Sequence, residues 1–74
     1  MAITLKAARV NAGLTQATAV WKYNNETGGR LSQSTLLSWE KGRTWPTVQQ
    51  FAALCKVYGV PMSDIFIPDT LTAG

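Results

Sequence analysis

Apolar residues recur at helical spacing along most of the chain. Leu5, Ala8 and Ala12 lie three and four apart, as one face of a first helix requires. Thr4 supplies an N-cap, and Gly13 supplies a stop, since glycine tolerates the left-handed backbone past a helix end. Thr15 caps a second helix from Gln16 to about Tyr23, with Ala19, Val20 and Tyr23 turned inward. Trp21 points away from them. Asn24–Leu31, NNETGGRL, has paired asparagines, paired glycines and no periodicity, and reads as a loop into which the second helix frays by up to a turn. Ser32 caps a third helix that Gly42 ends, with Leu36 and Trp39 on its inner face. RTWPT then connects to a fourth helix, capped by Thr47, whose Val48, Phe51, Ala52, Cys55 and Tyr58 form one amphipathic stripe. After Gly59, VPMSDIFIP reads as a last helical turn that folds Val60, Met62, Ile65 and Phe66 back onto the core and stops at Pro68. The pattern predicts an all-α fold of five short helices round one core. It places the domain over residues 1–68 and a loose tail over 69–74.

At 74 residues the chain is long enough for one small domain. Such a domain buries only about 60% of the surface that its unfolded chain exposes, so a partner or ligand matters to its stability. No apolar run approaches the ~20 residues needed to cross a bilayer, and MAITLK lacks the apolar segment of a signal peptide. The expected setting is cytoplasmic. A single cysteine, Cys55, excludes a disulfide within the chain, and its place on an apolar helix face marks it as a small core residue. With no histidine, neither a Cys/His zinc site nor a histidine-based triad is available, so no metal and no cofactor is expected. Glu26, Glu40, Asp64 and Asp69 are dispersed, with no pairing for acid–base work. Gly28-Gly29 lacks the preceding strand and the lysine spacing of a phosphate loop. An enzyme is therefore not expected. The net charge of +3, seven basic residues against four acidic, permits nucleic-acid binding without requiring it.

The third helix is unusual on its outer side. Gln33, Ser34, Leu37, Ser38 and Lys41 fall opposite Leu36 and Trp39, forming a short polar edge with one leucine and one lysine. A capped second helix, a loop and a capped third helix form a helix-turn-helix arrangement. The motifs LKAARVNAGLTQ, SQSTLLSWEKG and PTVQQFAALCKVYGVPMSDIF follow in order over about residues 5–66. In these the chain resembles the phage-repressor and Cro type of helix-turn-helix protein, the XRE family. The resemblance implies a lambda-repressor-like domain that binds double-stranded DNA, with Ser32–Lys41 as the recognition helix in the major groove.

The residue types suit that task. An amide such as Gln33 pairs bidentately with adenine, Ser34 and Ser38 serve base or phosphate, and Leu37 suits a thymine methyl. Phosphate contacts are expected from Arg30, which precedes the helix, Lys41 and Arg43, which follow its end, Thr35 within it and Gln16, which opens the second helix. Lys6, Lys22 and Lys56 read as solvated charges. The resemblance also implies a largely buried ion pair between Arg9 and Glu40. The implied partner is an operator, bound by a homodimer formed in solution or only on DNA, and the implied role is transcriptional regulation, with repression in a bacterium, phage or prophage the leading form.

The sequence departs from that family in three places. Asn24–Leu31 is longer than the usual turn, so it must bulge out or extend the second helix. Trp21 stands where such proteins are polar, and packing beneath the loop is the favoured reading, with a partner surface as the alternative. Trp45 stands where a basic residue is frequent; packing on Arg43, a backbone contact and a dimer seam all remain open for it. The competing function is a protein-interaction module that keeps the fold without binding DNA, such as an antitoxin-like or anti-repressor partner.

Overall fold

A computed structural model describes residues 2–66, so Pro68 and the tail read from the sequence lie outside the described residues. Four α-helices follow one another: α1 (Leu5–Asn11), α2 (Gln16–Thr27), α3 (Gln33–Glu40) and α4 (Val48–Tyr58). Each starts at a hydroxyl residue whose side chain accepts a backbone N–H three positions on: Thr4 from Ala7, Thr15 from Thr18, Ser32 from Thr35 and Thr47 from Gln50. Replacing such a cap by alanine costs about 1 kcal/mol. At α4 the cap is reciprocal, because the Gln50 side chain accepts the Thr47 N–H at 2.9 Å.

The expected fifth helix is a single 3₁₀ turn, Met62–Asp64. The chain leaves it extended because Ile3 draws it away. Ile3 donates to the Asp64 carbonyl at 2.8 Å, and Phe66 donates to the Ile3 carbonyl at 2.7 Å, making an isolated parallel bridge between Ile3 and Ile65. The two ends of the described chain are thereby joined.

The second helix is one turn longer than the sequence reading. Asn24–Thr27 carry no apolar periodicity, yet nothing in them breaks a helix, and α2 continues until Gly28 takes a left-handed conformation at φ 68°. What remains of the expected loop is held firmly. Asn24 donates its amide to the Leu31 carbonyl at 2.9 Å and accepts the Leu31 N–H at 2.7 Å, so one side chain plays the part of a strand neighbour. The Gly29 N–H meets the Thr27 hydroxyl at 3.0 Å, an approach that a Cβ on Gly29, 2.9 Å from that oxygen, would crowd.

The core comprises Leu5, Ala8, Ala19, Tyr23, Leu36, Trp39, Phe51, Leu54, Cys55, Tyr58 and Ile65. Several residues assigned inward by the sequence reading point outward. Ala12 and Ala52 are exposed, Val48 is 74% exposed, and Met62 and Phe66 are also exposed. On α4 the buried stripe is Phe51, Leu54, Cys55 and Tyr58: Phe51, Cys55 and Tyr58 are as predicted, and the fully buried Leu54 stands in place of Val48 and Ala52. Val48 opens the helix beside its cap, before α4 has descended into the core. Burial raises the Cys55 thiol pKa, in keeping with an inert core cysteine.

Candidate nucleic-acid interface

α2 and α3 lie against each other as the two arms of the predicted motif, and a line of polar side chains joins them to α1. Arg9 donates from Nε to Glu40 Oε2 at 2.7 Å and from Nη2 to Oε1 at 3.3 Å. A third donor, Nη1, reaches the Leu14 carbonyl at 2.8 Å. The side chains are only 9% and 3% exposed, so this is a shielded ion pair that ties the end of α3 to α1. The hydrogen bond to Glu40 raises the Arg9 pKa against the opposing effect of burial.

The line continues outward. Gln16, the first residue of α2, donates Nε2 to Glu40 Oε1 at 3.1 Å. Gln33, the first residue of α3, donates its own Nε2 to Gln16 Oε1 at 3.3 Å. Gln16 is half-buried and Gln33 is exposed. A continuous path therefore leads from a buried charge pair to an amide at the open tip of α3. Gln16 and Glu40 stand 24 positions apart, so no local pattern in the sequence signals their contact.

The outer face of α3 presents Gln33, Ser34 and Leu37 to solvent, Leu37 at 39% exposure. Ser34 lies with its hydroxyl 3.2 Å from the Ser32 hydroxyl. Thr35 is exposed and accepts a hydrogen bond from the Ser32 hydroxyl at 2.9 Å. Ser38 is half-buried and accepts from the Thr44 hydroxyl at 3.0 Å, so it is tied to the loop after α3. Thr44 was not singled out by its sequence. Arg30, before α3, and Lys41 and Arg43, after it, are all exposed. The face thus carries hydrogen-bonding groups and one methyl-rich side chain, with cations at either end.

The two unusual tryptophans differ. Trp21 is 65% exposed, so it does not pack beneath the following loop, which is pinned by Asn24 instead. Trp45 is half-buried, its ring 5.5 Å from that of Phe51 and inclined at 53°. It serves as a lid on the core. A cleft of about 220 Å³ lies beside Arg30, Leu31 and Thr35, against Tyr23 and Trp39. That is below the ~300–1,000 Å³ of small-molecule sites. Among the described residues no group of three or more metal-ligating side chains occurs, and no helix is long and apolar enough to cross a membrane.

The sequence profile of the helix-turn-helix domain matches residues 1–65. The chain belongs to the helix-turn-helix domain family. Neither the curated proteins nor the solved structures yield a match. Membership accounts at once for the layout: in DNA-bound helix-turn-helix proteins the first helix of the motif crosses the DNA backbone and the second enters the major groove. It identifies the chain, at a general level, as a DNA-binding regulatory domain of a type that is not ordinarily catalytic.

Proposed function

We propose that this helix-turn-helix protein is a sequence-specific transcriptional regulator, a repressor of bacterial, phage or prophage origin, that binds its operator as a homodimer. The observation that carries the reading is the exposed tip of α3, where Gln33 is held by Gln16 beside Ser34 and Leu37, with Arg30 before the helix and Lys41 and Arg43 after it. Gln33 reads an adenine edge through its amide, Ser34 and Ser38 serve neighbouring base edges, and Leu37 meets a thymine methyl. Gln16, Arg30, Thr35, Lys41 and Arg43 bind phosphates and set the register, and none of them touches a base edge. Eight residues of α3 span only about 12 Å, enough for one half-site, which favours two copies on a symmetric operator.

One observation favours a second reading. Trp21, 65% exposed on α2, is the kind of aromatic that anchors a protein interface. A module that binds a partner protein through that face, and no DNA, is the alternative.

Titration of affinity for random duplex DNA against salt separates them. The regulator loses affinity steeply as salt rises, because each neutralised phosphate releases counterions. Weak binding with a flat salt response, even at low salt, rejects the DNA-binding reading.

A further inference from the structure

We infer that Glu40 is a specificity-determining positioning residue: through Gln16, it dictates which way the Gln33 amide faces and hence which base the protein selects. This rests on the DNA-binding reading above.

The argument is one of donors and acceptors. Both oxygens of the Glu40 carboxylate accept from Arg9, so toward its neighbours this group accepts hydrogen bonds and offers none. Its Oε1 faces Gln16, so Gln16 must turn its NH₂ inward, and the contact is Nε2 to Oε1 at 3.1 Å. The Gln16 carbonyl oxygen is then forced outward. That oxygen is an acceptor, so Gln33 must in turn present its NH₂, at 3.3 Å. One N–H of Gln33 is used in this way. The second N–H and the carbonyl Oε1 remain for DNA, one donor beside one acceptor. Adenine offers the complement in the major groove, an N7 acceptor beside an N6 donor, whereas guanine offers two acceptors, O6 and N7. A buried charge thus propagates a fixed polarity through two amides, each of which would otherwise be free to turn over.

Replacing Glu40 by glutamine breaks the polarity with little change in shape. The substituted amide can offer Gln16 either its oxygen or its NH₂, and the second choice reverses both downstream amides. Gln33 then presents its whole NH₂ group outward, which suits guanine.

The experiment measures the ratio of dissociation constants for two duplexes differing only in adenine or guanine at the base pair whose preference Gln33→Ala erases. A ratio taken on one protein sample is unaffected by the fraction folded, which separates positioning from mere stability. Wild type is expected to prefer adenine, and Glu40→Gln is expected to shrink that preference by about five-fold or more. Gln16→Leu leaves the Arg9–Glu40 pair intact and is expected to shrink the ratio likewise, and it decides the matter where Glu40→Gln does not fold. A ratio that collapses in Gln33→Ala but holds in Gln16→Leu and in any folded Glu40→Gln overturns the relay while sparing the DNA-binding reading. A wild type with no base preference anywhere, or one that Gln33→Ala leaves untouched, overturns both.

Discussion

Arg9→Met is the most exposing perturbation of the framework beneath the interface. Methionine keeps much of the volume and removes all three of the arginine's hydrogen bonds, two to Glu40 and one to the Leu14 carbonyl. Glu40 keeps only the Gln16 amide while its side chain stays 3% exposed. A charge stranded in that way costs about 3–5 kcal/mol. A 74-residue domain has only about 4–11 kcal/mol in total. At about 4–8 °C per kcal/mol for a domain of this size, the melting temperature falls by at least about 12 °C. Thermal and urea denaturation followed by circular dichroism measure this directly. The double variant Arg9→Met/Glu40→Leu removes both charges and is expected to recover most of the loss. If Arg9→Met costs less than about 1 kcal/mol, the pair behaves as a solvated surface pair, and the shielding argued from the structure is wrong.

Tyr58 offers a test of a different kind. Its hydroxyl is buried without a hydrogen-bond partner among the described residues, so Tyr58→Phe is expected to leave stability at pH 7 unchanged or raise it by about 1 kcal/mol, and a loss larger than that contradicts the packing. Burial, helped by the Glu40 charge, raises the Tyr58 pKa above its ordinary 10.0. The unfolded chain therefore releases this proton first, and stability that is intact below pH 10 falls above it, by up to about 1.4 kcal/mol per pH unit for each such group. Tyr58→Phe makes that alkaline fall shallower, as urea titrations at pH 9 to 11 will report. Lys41→Ala is expected to weaken binding to every duplex alike and reduce the salt slope by about one, while a loss confined to one sequence would assign it to base reading instead. Leu54→Ala, at a fully buried site, is expected to cost about 2–5 kcal/mol, whereas Trp21→Ser on the open face of α2 stays within about 0.5 kcal/mol; equal effects would refute the burial pattern.

Local chemistry in the sequence located most of the fold. Thr4, Thr15, Ser32 and Thr47 mark all four helix starts because capping depends on residues three positions apart. The end of α2 was harder to see, since Asn24 and Asn25 are poor helix formers and the Asn24 clamp on Leu31 spans seven positions. Val48 and Ala52 read as core because periodicity gives a stripe without its phase, and Leu54 shows where that phase lies. Phe66 is apolar enough for the core, but its backbone is committed to Ile3, a pairing across nearly the whole chain. At the candidate interface, side-chain types pointed to Gln33 and its neighbours. The connection of Gln33 through Gln16 to Glu40 exists only once α2 and α3 meet, and no spacing along the chain encodes it.

The most direct test is in vitro selection on random duplex DNA, run side by side with the wild-type protein and Gln33→Ala. The account predicts a two-fold symmetric consensus for the wild type, with preference lost at one base pair per half-site in the variant. Failure of the wild type to enrich any sequence, or an identical consensus from the variant, would contradict the claim that the tip of α3 reads DNA.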